Sequence, residues 1–385
     1  MAHFIVIGAG LGGLATAHGL LRLGHSVRVY EAAPVLREVG AGLVLGANAM
    51  HALQQLGLHD AVRPHGSAVT ALKLFNQKGR LLQNADTSTF TQALGFDNVG
   101  IHRATLQQAL LQSLPADTLA LGKPFESFQQ TPTGVEALFE DGTTTQADFL
   151  IGADGIHSRV RRQLLPTSVP RYAGYTCWRA VVDARELELL KGESGEIWGD
   201  QGRRFGYVPV GSGQVYWFAC LNSSTPQNPK FRAFRVAELQ HEFNLFPAPV
   251  PALLSLTRNE QLLWNDILDL KPLRQLAFGR VLLVGDAGHA TTPNLGQGAG
   301  MAMEDAAELV ACLQHTPAIT DAFRRFEKRR LPRTTRIVQT SWQLGRVGQL
   351  ENPLLTSLRN TLMRLLPDAV SRSQMAWLYE ANGKD

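Results

Sequence analysis

Metal-type cysteine spacing, long apolar runs, blocks of like charge and low-complexity segments are all missing from this chain of 385 residues. Each absence removes a class of function. Only three cysteines occur, Cys177, Cys220 and Cys312, far apart in sequence. That count and spacing give neither a metal site nor a secreted disulfide framework, and they fit reduced thiols in a cytoplasm. The first apolar run starts at Phe4 with no basic segment before it, and Gly8 interrupts it too early for a signal peptide or a membrane span. Neither export nor stable membrane insertion is expected. Charged residues make up 18% of the chain without forming a tail-like block, so disorder is not expected to carry the function. The net charge of +4 mildly favours anionic ligands, but the basic residues are scattered and no nucleic-acid-binding signature accompanies them. The cluster from Arg324 to Arg336 reads as a solvated helix face without a function of its own.

A chain of this length exceeds the usual limit of one hydrophobic core, so two domains, or one with a large insertion, are expected. Phe4 to Ile7 reads as a strand, Leu14 to Leu23 as a helix and Val27 to Tyr30 as a second strand, an opening βαβ unit. Ala147 to Ile151 before Gly152, and Arg280 to Val284 before Gly285, read as two further buried strands ending in glycine turns. In a parallel sheet three such turns can converge on one ligand at the carboxyl edge. Between them, alternating aromatic-rich stretches (Tyr172 to Asp183, Arg204 to Val210, Gln214 to Leu221) predict a mostly antiparallel sheet that suits a substrate pocket. After Met301 the chain reads as helices. The amphipathic stretch Leu354 to Leu366 is expected to pack on the protein's own core.

Gly8, Gly10 and Gly13 form G-x-G-x-x-G between a strand and a helix, with Glu31 ending the next strand. The glycines permit the tight turn, the approach of a pyrophosphate and close helix packing; Glu31 can accept hydrogen bonds from a ribose. NAD and FAD remain equally open at this point. A second motif follows, Gly152-Ala153-Asp154-Gly155 with Ser158, Arg159 and Arg161. A third is Gly285-Asp286-Ala287-Gly288-His289, running on through Pro293, Gly296, Gln297 and Gly298.

This trio resembles the aromatic hydroxylase class of FAD monooxygenases (group A), including the 4-hydroxybenzoate, salicylate and bacterial urate hydroxylases and zeaxanthin epoxidase. The resemblance spans roughly the first 330 residues. It implies an α/β fold: a Rossmann-like FAD domain of the 4-hydroxybenzoate hydroxylase type (1–170 and 266–330), an inserted sheet (171–265) and a helical C-terminal region (331–385). It also implies FAD held by Gly8, Gly10, Gly12, Gly13, Glu31, Ala32, Val44, Arg103 and Phe125, together with Asp154, Asp286, Gly296, Gln297, Gly298 and Ala299. Asp286 would accept from the ribityl chain, Arg103 would sit near the pyrophosphate, and Asp154 would support FAD and the visiting nicotinamide nucleotide. Dipoles of the turn Leu295 to Ala299 would stabilise the anion of the reduced ring. No second complete G-x-G-x-x-G exists for a resident NADH or NADPH, in keeping with a class in which that co-substrate only visits. The resemblance implies that oxygen would then react to give a flavin C4a-hydroperoxide that hydroxylates or epoxidises a small aromatic or related organic molecule.

The resemblance to urate hydroxylases further implies a substrate wall of Cys177, Arg204, Tyr216 and Phe218. Arg204 and Tyr216 are the catalytic candidates: the arginine to bind an anionic or carbonyl-bearing ring, the tyrosine to orient or deprotonate it. That family carries Asn where this chain has Cys177, which counts against urate itself. Strand alternation means that at least one of Tyr216, Trp217 and Phe218 is ordinary core. His289 reads as a structural hydrogen-bond partner. An FAD-dependent dehydrogenase or reductase of the same fold, and a flavin-binding protein without turnover, are the alternatives; the W-x-W-x-I-P segment of flavin halogenases is absent. The expected assembly is a monomer or homodimer.

Overall fold

The computed structural model describes residues 1–36, 41–86, 91–92, 94–187, 192–366 and 377–379. Strand β1 (His3–Ile7) consists of apolar residues buried from Phe4 onward, the pattern of a strand covered on both faces. It leads into α1 (Leu11–Arg22) and β2 (Ser26–Tyr30), the expected βαβ unit. The sheet continues outward from β1 through β8 (Phe149–Gly152), β15 (Val281–Leu283) and the edge strand β14 (Ala277–Phe278). On the other side it passes through β2 to β7 (Leu119–Ala120). All pairings are parallel except that of β14 with β15. The register sets Ile7 against Gly152 and Gly152 against Leu283, so three glycine turns distant in sequence begin side by side on one sheet edge.

A second sheet of seven strands has the order β13 (Leu263–Asp269), β9 (Arg171–Asp183), β12 (Gln214–Asn222), β11 (Arg204–Gly211), β10 (Glu193–Trp198), β4 (Ala71–Asn76) and β5 (Leu81–Asp86). Its pairings are antiparallel apart from β10 with β4. The sheet is wider than the segment 171–265 expected for it. Two strands from the first segment complete this sheet, and β13 runs past 265. The parallel pairing of β4 with β10 joins residues 122 positions apart and leaves no local sign in the sequence. A smaller antiparallel sheet contains β3 (Gly42–Leu45) and β6 (Asn98–His102).

Helices α2 (Ala47–Leu56), α3 (Arg103–Gln112), α4 (Arg159–Leu164), α5 (Gly298–Gln314), α6 (Ile319–Gly348) and α7 (Pro353–Leu365) surround the sheets. Helix α6 passes through position 330 unbroken, so the division expected there falls inside a helix. Within the C-terminal region, 367–376 and 380–385 lie outside the described residues. The leucine face of α7 departs from expectation: Leu354, Leu358 and Leu362 are 80%, 54% and 55% exposed, whereas Thr356 and Arg359 are buried. Arg359 turns inward because its guanidinium donates to the carbonyls of Val347 (3.1 Å) and Gly348 (3.2 Å) at the open end of α6. No helix among the described residues is long and apolar enough to cross a membrane.

Candidate active site

A cavity of about 370 Å³ opens where the carboxyl edge of the parallel sheet meets one face of the second sheet. Its floor comes from the glycine turns. Gly10, Gly12, Gly155, Gly296, Gly298 and Ala299 line it, together with Val44, Arg103 and the exposed carboxylate of Asp286. The turns also lock against one another. A Cβ on Gly8 would lie 2.5 Å from the Ala153 carbonyl oxygen, and one on Gly12 would lie 3.3 Å from the Ala302 side chain. In contrast, a Cβ on Gly10, Gly155 or Gly296 would meet nothing within 4 Å. These glycines border open space, bounded by a helix N-terminus, one guanidinium and one carboxylate. That is a fit for a dinucleotide whose diphosphate needs backbone N–H groups and a cation.

Other expected cofactor residues lie outside this cavity. Gly8 and Gly13 shape the turn from within. The Glu31 carboxylate accepts from the backbone N–H groups of Ala9 and Ala33, both at 2.9 Å, bracing the first turn, and Ala32 beside it is exposed. Phe125 is a core side chain. Asp154 accepts from the Ser158 hydroxyl (2.5 Å) and from the N–H groups of Arg159 (2.7 Å) and Val160 (3.2 Å), so it caps α4, with burial raising its pKa. Gln297 is buried and accepts from Asn48 on α2.

Beneath the third motif lies a charged network that sequence reading missed. Asp305 on α5 accepts from the Gly285 N–H (2.8 Å), from His289 (2.6 Å) and from Arg330 on α6 (2.7 Å). Its neighbour Glu304 receives Arg330, Arg333 and Asn48. Arg330 is wholly buried, and Arg333 also reaches the backbone carbonyls of Trp377 and Leu378. The stretch from Arg324 to Arg336 is thus a solvated face only in part: Arg324, Arg325, Lys328 and Arg336 are exposed, whereas Arg330 and Arg333 turn inward and hold α6 against the turn that carries Asp286. Burial pushes the Asp305 carboxyl up, but His289 and Arg330 outweigh it and hold the group to about 2.

The roof is one face of the second sheet. Alternation sends Trp178, Phe205 and Trp217 into a core against helices on the far side. Tyr175, Cys177 and Arg179 on β9, Tyr216, Phe218 and Cys220 on β12, and Arg204 on β11 face the cavity instead. Trp217, not its neighbours, is therefore the core aromatic. Phe218 stands opposite Gly206, whose missing side chain leaves room for the ring. Arg204 donates to Glu196 (2.7 Å) and to Asn294 (2.7 Å), and the Tyr175 hydroxyl donates to the same Asn294 oxygen (3.1 Å). Arg179, Glu196, Cys220 and Asn294 are cavity residues that sequence reading missed. The β9 and β12 members could have been found by counting in twos from Cys177 and Phe218.

Burial raises the pKa of Tyr216 despite the nearby Arg179, so the phenol stays protonated and suits a donor's role better than a base's. Cys177 behaves in the opposite way. Burial pushes its thiol up, but a hydrogen bond from Cys220, its partner across the strands, and the charges of Arg179 and Arg204 outweigh it and hold the thiol below the ordinary thiol range. Cys220, the donor, is pushed well up. Alkylation of Cys177 by iodoacetamide in the FAD-loaded protein is therefore expected to reach half its maximal rate well below pH 9. A midpoint near the ordinary thiol value of 9 would contradict this electrostatic picture.

Comparison with known proteins agrees with the geometry. The FAD binding domain family matches residues 1–341. Aurachin C monooxygenase/isomerase of Stigmatella aurantiaca is 38% identical, with 94% of each chain covered. The 2-heptyl-3-hydroxy-4(1H)-quinolone synthase of Pseudomonas aeruginosa is 32% identical over 99% of this chain and 98% of that one. Among solved structures, Klebsiella pneumoniae HpxO complexed with FAD and uric acid superposes with a TM-score of 0.90 at 29% identity, covering 99% of this chain and 98% of that one. The chain belongs to the FAD binding domain family and is a group A FAD-dependent monooxygenase that uses O2 to hydroxylate a small aromatic or related organic substrate.

Proposed function

We propose that the substrate is a flat, mostly apolar aromatic ring system with few polar edges, of the quinolone rather than the purine kind. The observation that carries this reading is the composition of the roof. Phe218, Val208, Cys177 and Cys220 present apolar or weakly polar surface, and Asn294, the amide in the wall, is already engaged by Arg204 and Tyr175. A purine has donors and acceptors on most edges and would leave several unpaired, at a cost of about 1–3 kcal/mol each. A quinolone has one N–H and one carbonyl, and the carbonyl accepts from Tyr216, so far fewer polar edges are left without a partner. The name of the P. aeruginosa relative points the same way.

On this reading Gly10, Gly12, Gly155, Arg103, Asp286 and the N-terminus of α5 would hold FAD. Bound FAD supplies the redox chemistry, taking reducing equivalents from NADH or NADPH and activating O2. The residues of the roof do the rest. Tyr216 donates a hydrogen bond to a ring oxygen, Phe218 fixes the ring plane, and the closed wall of the second sheet keeps water from the reacting atoms. Arg204, tied to Glu196 and Asn294, shapes the far wall.

The test is a substrate panel. With NADH and NADPH in turn, 4-quinolones carrying short alkyl chains are expected to stimulate oxygen uptake and to gain one oxygen atom. Urate is expected to do neither. Stimulation by urate with none by the quinolones would refute the assignment.

A further inference from the structure

Two thiols line the cavity and stand against each other. Cys177 on β9 and Cys220 on β12 are directly paired residues of adjacent antiparallel strands, and both belong to the roof. Directly opposed residues in such a ladder hold their Cβ atoms about 4.5–5.5 Å apart, against roughly 3.5–4.5 Å in a disulfide. A small approach of the two strands therefore closes the bond without a change of register. The Cys220 thiol already donates a hydrogen bond to the Cys177 sulfur, and the Arg179 guanidinium pairs with that sulfur from the same strand. The reading above uses these sulfurs only as weakly polar surface. The third cysteine, Cys312, sits apart on α5, donating to Glu308 (3.5 Å), with burial and that carboxylate pushing its thiol up to about 12.

We propose that Cys177 and Cys220 are a reversible redox pair, a dithiol that hydrogen peroxide closes into a disulfide across the cavity roof, weakening substrate binding. The oxidant has a source at this site: O2 that takes two electrons and two protons without passing an oxygen atom to a substrate leaves as hydrogen peroxide. Cys177 is the nucleophile, because the charges of Arg179 and Arg204 favour its ionised form. Its sulfur attacks one peroxide oxygen; the S–O bond forms, the O–O bond breaks, and the departing hydroxide takes up a proton to become water. The Cys220 sulfur then attacks the Cys177 sulfur. The S–S bond forms, the S–O bond breaks, and the second hydroxide leaves as water with the Cys220 proton. Two thiols lose two electrons, and the peroxide becomes two water molecules. The consequence for the cavity is electrostatic. A disulfide carries no charge, so Arg179 loses its acidic partner opposite Phe218, and an uncharged ring there meets an unpaired guanidinium. The bond itself needs only the two strands; its effect on binding rests on the substrate reading above.

The experiment treats the FAD-loaded enzyme with a small excess of hydrogen peroxide, which gel filtration then removes. Thiol titration after unfolding is expected to show two of the three free thiols lost, and non-reducing peptide mapping to show Cys177 joined to Cys220. Cys312 is expected to stay reduced, and dithiothreitol to restore the other two. In Cys220→Ser no bond can close, and Cys177 is expected to stop as a sulfenic acid that dimedone traps. In Cys177→Ser peroxide is expected to leave Cys220 reduced. If either variant fails to fold, mapping of the unaltered enzyme decides. Binding is read from the KM of the panel compound that most stimulates oxygen uptake, expected to rise about tenfold on oxidation and to return with dithiothreitol. Three thiols retained, Cys177 carried to sulfinic acid without a disulfide, or a bond to Cys312 would overturn the pair; a disulfide that leaves KM unchanged would overturn its effect on binding. Failure of every quinolone to stimulate oxygen uptake refutes the substrate reading instead, and the peptide map still decides the bond.

Discussion

A Gly10→Val enzyme is expected to fold as the parent does and to lose most of its FAD, whereas Gly13→Ala is expected to lose the fold. The two glycines are three residues apart in one motif, so the contrast separates cofactor contact from packing. Gly10 has φ −70° and ψ 177°, a conformation open to any residue, and a Cβ there meets no protein atom within 4 Å. Valine would project into the space a diphosphate needs. Overpacking of this kind costs about 1–3 kcal/mol, which is roughly a fivefold to 150-fold weaker affinity. A Cβ on Gly13 would instead lie 2.0 Å from the Gly8 carbonyl oxygen and push the turn apart whether or not FAD is present. Flavin content after purification and thermal unfolding check the pair. Full FAD occupancy in Gly10→Val would show that the dinucleotide does not lie at this turn.

Arg330→Met is expected to destabilise the protein by about 3–5 kcal/mol, the range for removing one partner of a buried ion pair. The loss leaves Asp305 with His289 alone among its charged partners and frees one side of Glu304. Because Asp305 also receives the Gly285 N–H, weaker FAD binding should accompany the lower stability. The pH dependence has a definite sign. The folded-state pKa of Asp305, about 2, lies below the ordinary 3.8, so its contribution is complete above about pH 4 and is lost as pH falls towards 2. Chemical unfolding at neutral pH and in acid measures both effects. A change under about 0.5 kcal/mol, usual for an exposed surface site, would restore the reading of Arg330 as solvated.

Much of the dinucleotide side was legible because each of its turns is local. Gly8 to Gly13, Gly152 to Gly155 and Gly285 to Gly298 each follow a short apolar strand, and only their adjacency had to be inferred from the logic of parallel sheets. The roof was half legible. Alternation along β12 showed that Tyr216 and Phe218 share a face and that Trp217 does not, but it could not say which face met the cavity. Arg179 and Cys220 lie two residues beyond Cys177 and Phe218, the wall residues expected on the same strands. What stayed hidden depends on pairs distant in sequence. The contact of Asp305 with Arg330 joins two helices, and β4 and β5 reach the second sheet from residues 71–86. The exposed leucines of α7 show the limit of periodicity as well: an apolar stripe tells that a helix has two faces, not which one turns inward.

The central claim, that one cavity brings FAD and an aromatic ring together for transfer of oxygen, is tested most directly by turnover under 18O2. The alkyl-4-quinolone panel described above serves, with NADH or NADPH as reductant and the product read by mass spectrometry. The expected result is one 18O atom per product molecule, with no label taken from 18O-labelled water. Product labelled from water, or substrate oxidised without gaining oxygen, would contradict it.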